Sequence, residues 1–324
     1  MSGEKSWPMT TSLVPIPPGR PTFLDAPRCT DLRTLEADIA VIGVPFAAPY
    51  DLQTAAAQSR GPAVLREQSM AYVPWYATHY DFDFGDDLFA GRPLRIVDCG
   101  DVAMTAGRWD EAVRATTEVV KTVLDCGAVP FVLGADDSVP IPVLRAYAEQ
   151  KPMCIVQIDA HIDWRDEREG LREGLSSPMR RASEMPWIKG MAQIGLRGFG
   201  SGRRVEFDAA RAYGSVLIGA AEVHRVGVEA ALAKVPAADR YFITFDVDGL
   251  DPSIAPAVAS PAFGGLTYDE AGGILRGIAS RGRVAGFDVV EIMPDVPGGP
   301  MTCRLAVRLM LNLIGALAHA GRFG

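Results

Sequence analysis

The chain has 324 residues, 48% of them hydrophobic, and a formal net charge of -8. That length suits one large α/β domain with its own core, and an acidic chain without a block of Lys or Arg lacks the basic stripe by which proteins hold nucleic acid. Five cysteines without a Cys-x-x-Cys pair exclude neither packing nor reactivity but argue against a disulfide framework and a zinc ribbon.

From the N-terminus, prolines at 8, 15, 17, 18, 21 and 27 disfavour regular structure. Residues 1–32 therefore read as an extended arm, lying on its own domain, on a neighbouring subunit or loose, ahead of a single domain over 33–324. The chain opens without a charged-then-apolar leader, and no apolar run reaches membrane-spanning length, so a cytoplasmic protein without membrane contact is expected. Eight β-rich runs follow, at 38–44, 95–99, 130–133, 153–158, 192–196, 216–218, 241–245 and 284–292. Helical patterns fall between most of them, at 111–124 and 267–278 among others, and an apolar helix over 301–318 closes the chain. Near-continuous apolar strands alternating with helices predict a mostly parallel sheet of roughly eight strands, covered on both faces.

Two acidic clusters sit where such strands run out. Asp159, His161 and Asp163 follow the run 153–158, and Asp246 and Asp248 follow 241–245. Alternate residues of an extended chain share a face, so each set points one way, at the end of a sheet where α/β proteins place their sites. Aspartates gathered there without cations repel one another and resist burial. Bound divalent metals account for them.

Further motifs occur in a fixed order: Gly43-Val44-Pro45-Phe46, Arg60-Gly61-Pro62, Asp98-Cys99-Gly100-Asp101-Val102 and Gly134-Ala135-Asp136-Asp137-Ser138. Then come the Asp159 and Asp246 clusters, the latter extending through Leu250-Asp251-Pro252, followed by Gly264-Gly265-Leu266-Thr267 and Asp288-Val289-Val290-Glu291. Over most of its length the chain thus resembles the ureohydrolase family of arginases and agmatinases, most closely the agmatinase-like bacterial members. The resemblance implies a three-layer αβα fold holding two manganese or nickel ions that share a hydroxide. It implies that Asp159 and Asp246 bridge both ions, that His161 and Asp248 serve one, and that Asp163 and position 137 serve the other. Carboxylates with one imidazole suit manganese, with nickel or iron also accommodated. Glu291 matches the family glutamate that pairs with the substrate guanidinium, and Asp163 is the candidate to take a proton and pass it to the leaving amine.

Two histidines of the family pattern are replaced. Asp137 stands where the family has a histidine ligand, and Leu175-Ser176-Ser177-Pro178 stands where agmatinases have His-Gly-Thr-Pro. Asp137 has two readings: a ligand that makes one metal position all-oxygen, or a charge that leaves that position vacant or differently occupied. The first implies an enzyme with altered metal preference, the second a subunit that keeps its fold but has lost the chemistry, with one ion or none. Trp164, beside the metal motif, either stacks on a cationic substrate or fills a gap at a loop base. His79, His224 and His319 lie outside the motifs and read as surface or packing residues, Cys154 as core, and the glycines 198, 200 and 202 do not fit a nucleotide loop. The resemblance gives a metal-dependent amidinohydrolase that cleaves a C–N bond of a small guanidino or biguanide compound, releasing an amine and urea or a urea derivative. The alternative is a catalytically impaired partner in a heteromeric ureohydrolase of the metformin-hydrolase type. A zinc deacetylase of similar fold fits the aspartate count less well. The resemblance also implies assembly, as a homotrimer or homohexamer or as a hetero-oligomer with a related subunit.

Overall fold

The computed structural model describes residues 12–46, 48, 50, 52–104, 108–199 and 202–321. Among them, nine strands form one sheet: β1 (Leu13–Val14), β2 (Ile39–Val44), β3 (Ile96–Val102), β4 (Val129–Gly134), β5 (Met153–Ile158), β6 (Ile188–Leu196), β7 (Val216–Gly219), β8 (Arg240–Asp246) and β9 (Arg283–Val290). Their order across the sheet is β1-β3-β2-β4-β9-β8-β5-β6-β7. Every pair is parallel except β1 with β3.

Every residue of β2, β4 and β5 is buried, because helices cover both faces. The pleat divides them: Ile39 and Val41 enter one apolar cluster, Ala40 and Ile42 the other. The first cluster is completed by the helices Tyr268–Arg281 and Gly299–His319, and the second by Trp109–Asp125 and Pro140–Arg145. The closing helix Gly299–His319 is, contrary to the sequence-based expectation, long and apolar enough by length and composition to cross a membrane. Its most apolar window is 78% buried inside the fold, so the core accounts for that character.

The expected eight strands become nine because the proline-rich segment supplies one. Leu13 pairs with Val102 and Val14 with Asp101, and Pro15 ends the pairing by removing a donor. The approach is close: a Cβ on Gly100, whose φ is +84°, would stand 2.4 Å from the Val14 carbonyl oxygen. Farther along, Phe23 and Leu24 are buried, and the Phe23 N–H donates to Asp98 at 2.8 Å. Asp98 in turn pairs with the buried Arg66 at 2.8 Å, and Arg66 reaches Asp101 at 2.6 Å. From residue 12 onward the arm lies on its own domain. Residues 1–11 are outside the described residues.

A candidate metal centre at the ends of the central strands

The four central strands β4, β9, β8 and β5 deliver acidic residues from adjacent ends. Asp159 follows β5 directly, Asp246 ends β8 and leads into a tight turn at Val247–Gly249, Glu291 follows β9, and the turn after β4 carries Asp136 and Asp137. Local packing fixes the register of these ends. A Cβ on Gly249 would lie 2.8 Å from the Asp159 backbone nitrogen, so only glycine lets the two loops meet. Asp163 and Glu291 hold positive φ values of 45° and 69°, a conformation non-glycine residues adopt at a cost and which gathers at functional sites.

Two sets of donors are each compact enough for one cation. Asp159, His161 and Asp248 offer ligand atoms within 4.8 Å of one another, and so do Asp137, Asp159 and Asp246. Asp159 belongs to both. The Asp159 carboxylate accepts from the His161 N–H at 2.6 Å and from Gln157 Nε2 at 2.6 Å, while the same amide donates to Asp163 at 3.0 Å. Asp248 accepts from the Ala160 N–H at 3.1 Å, its own N–H donates to Asp246 at 2.7 Å, and His161 Nδ1 lies 2.9 Å from its carboxylate. Asp137 differs from all of these. Both of its carboxyl oxygens are buried with no hydrogen-bond donor among the described residues, the condition of a carboxylate whose partner is a cation.

The electrostatics agree with the geometry. Burial raises the carboxyl groups of Asp137, Asp159, Asp246 and Glu291 well above the usual range, and their neighbours' negative charges raise them further. Asp163 is raised as well, chiefly by burial. Burial works against a charged His161, but the hydrogen bond to Asp248 and its charge outweigh it, and the net shift is upward. Behind the cluster, burial pushes Asp136 to about 6 and Asp288 to about 7. These residues, in this arrangement, fit divalent cations: five clustered aspartates and one imidazole form a hard donor set whose charge the protein leaves unbalanced.

A pH dependence follows. Carboxyl groups raised in the fold bind more protons folded than unfolded, so they stabilise the metal-free chain at low pH. That contribution is lost as pH rises from about 4, the unfolded carboxylate value, through the folded values near 6 and 7. The melting temperature of chelator-treated protein is expected to fall between pH 5 and pH 8, and saturating Mn2+ to lessen the decline by the share that the cation-binding aspartates contribute. A metal-free melting temperature that climbs over this window contradicts the assignment.

The structure brings together Asp137, Asp159, His161, Asp163, Asp246, Asp248 and Glu291. Asp163 stands beside the two donor sets, held by Gln157, and belongs to neither. Trp164 is corrected from a substrate-stacking residue to a core residue: it is 1% exposed, lies in the second apolar cluster, and packs on Tyr213 at a centroid distance of 5.8 Å. A ring so enclosed presents no face to a ligand. His224 pairs with Glu270, His319 stacks on Phe84, and His79 meets the edge of Trp75. Of the glycine-rich stretch, Gly200 and Ser201 lie outside the described residues.

Sequence reasoning missed the supports. Gln193 donates to Gln157 Oε1 at 2.6 Å and to the Ile162 carbonyl at 2.7 Å, and Ser215 donates to Gln193 at 2.9 Å, so a buried amide relay fixes the Gln157 amide that holds Asp159 and Asp163. The register sets Gln193, Gln157, Thr244 and Asp288 side by side on adjacent strands, one polar row beneath the site. Gln58 donates to Glu291 Oε2 at 2.6 Å, and the Asp137 N–H to Oε1 at 2.9 Å. Arg197 ties the turn after β8 by donating to the carbonyls of Asp248 at 2.6 Å and Leu250 at 3.0 Å. The period-2 pattern would have flagged Gln157 and Gln193 as polar residues inside apolar strands; Gln58 carries no such signal.

The model of the arginase family matches residues 37–315. Guanidinopropionase of Pseudomonas aeruginosa is 30% identical to the chain, over 99% of it and 98% of that protein. An agmatinase of Salmonella paratyphi B is 31% identical over 86% of the chain and 87% of its own length. Among solved structures, proclavaminate amidino hydrolase from Streptomyces clavuligerus superposes with a TM-score of 0.80 at 28% identity, covering 93% of this chain and 97% of the other.

Proposed function

The chain belongs to the arginase family, and on that premise we propose that it hydrolyses a C–N bond of a small guanidino or biguanide compound, with two divalent ions of manganese or nickel as cofactors. The observation that carries the reading is the pair of donor sets sharing Asp159, one of which includes the partnerless carboxylate of Asp137. Asp159, His161 and Asp248 would hold one ion; Asp137, Asp159 and Asp246 would hold the other. Two such ions supply a nucleophile from water at neutral pH and offset the negative charge that develops during attack.

The chain's own groups supply the rest. Glu291 is fixed by Gln58 and the Asp137 N–H with its carboxylate beside the aspartates, where it would accept hydrogen bonds from a guanidinium. Asp163, raised in pKa and steered by Gln157, takes a proton and returns it to the leaving amine. No histidine stands in the loop 175–178, so this transfer falls to a carboxylate. The relatives named for guanidinopropionate and agmatine support a guanidine with a short tail as substrate.

A specific observation favours one second reading, a partner subunit in a hetero-oligomer: the replacement of the family histidine by Asp137 weakens the hold on a borderline ion such as nickel. The chain expressed alone, loaded with Mn2+ or Ni2+, separates the two. Urea or amine release from agmatine, a guanidino acid or a biguanide is the expected result. Turnover that appears only when a related subunit is added supports the second reading, and none under either condition overturns both.

A further inference from the structure

At the opposite end of the sheet, where the parallel strands begin, a cavity of about 700 Å³ is lined by Lys151, Lys189, Arg240, Arg283 and one acid, Asp239. It lies far from the metal centre. Strand β8 runs from Arg240 at the cavity to Asp246 at the cluster, six residue steps or about 20 Å. None of these four cations has an ion-pair partner among the described residues, although Asp239 lines the same cavity. Arg240 is half-buried; its Nη1 donates to the Lys151 carbonyl at 3.0 Å and its Nε is buried without an acceptor. Burial disfavours its guanidinium, Tyr147 offsets part of that and the adjacent charge of Arg283 adds to it, with a net shift downward and no carboxylate contributing. Lys151, Lys189 and Arg283 are exposed, so the cost of an uncompensated charge falls on the half-buried Arg240, whose acceptor-less Nε an entering anion would satisfy. The walls also carry apolar groups, Met153 and Pro236 among them, and the volume exceeds that of a bare inorganic ion.

We propose that this cavity binds a small organic anion carrying two or more negative charges, a phosphate ester or a dicarboxylate, through Lys151, Lys189, Arg240 and Arg283. The site is independent of the hydrolytic one. Binding is read by calorimetry and thermal shift on the metal-loaded chain, with glycerol phosphate as the ester probe, succinate as the dicarboxylate and chloride at matched ionic strength as the control. Saturable binding of at least one probe is expected, and the probe that binds identifies the class. Arg240→Met is expected to weaken it on the order of tenfold or more, the loss of one charge-assisted contact. Because Arg240 begins a central strand and its replacement can disturb folding, the double change Lys151→Ala with Lys189→Ala, both at exposed positions, gives a second reading and is expected to weaken binding similarly. No saturable binding beyond the chloride control overturns the proposal, as does binding that both variants retain in full.

Discussion

Asp246→Asn is expected to lower kcat/KM by about 10³-fold or more, the equivalent of the several kcal/mol that metal-ion catalysis supplies. The substitution is nearly isosteric, and the retained oxygen still accepts from the Asp248 N–H, so the turn at Val247–Gly249 keeps its anchor. What changes is charge. Asp246 is a donor in the set with Asp137 and Asp159, and an amide binds a divalent ion far less well than a carboxylate. The same change has the opposite effect on the metal-free protein, because it removes one member of a mutually repelling group whose pKa values burial has already raised. Chelator-treated Asp246→Asn should therefore melt above chelator-treated wild type while binding less metal. A variant within tenfold of wild-type activity, or one less stable than wild type without metal, contradicts the placement of Asp246 at a cation position.

Glu291→Gln separates substrate recognition from metal binding. Glu291 is 4% exposed and engaged by Gln58 and the Asp137 backbone, and it belongs to neither donor set. Removing its charge withdraws the partner of a guanidinium, at a cost of about 2–5 kcal/mol for a buried hydrogen-bonded charge pair. That corresponds to a loss of roughly 30-fold to 5000-fold in kcat/KM. Metal content should stay at the wild-type level. Loss of metal in this variant would move Glu291 into the metal site, and full activity would remove it from recognition.

Much of the site was legible because strand ends announce themselves. Apolar runs that stop at Asp159, Asp246 and Glu291 place those residues at one end of a parallel sheet, and the structure sets their strands side by side. The arm was harder to read. Its prolines argue against a strand, yet two residues, Leu13 and Val14, suffice to pair at a sheet edge where one side of the backbone needs no partner. Trp164 shows the limit of reading neighbours along the chain: it follows Asp163 directly, but the positive φ of Asp163 turns the backbone, and the indole enters the core against Tyr213. The Gln157, Gln193 and Ser215 relay depends on contacts across strands far apart in sequence, and Gln58 reaches Glu291 across 233 residues. No local pattern encodes such pairings. Asp137 was visible as a departure, but only the fold shows that its carboxylate is buried without a donor among the described residues.

The account stands on two cations bound among these acids, and the metal content of the purified chain tests it most directly. Elemental analysis after dialysis against Mn2+ is expected to give two ions per chain, falling when Asp137 is replaced by Ala. Fewer than one ion per chain would contradict it.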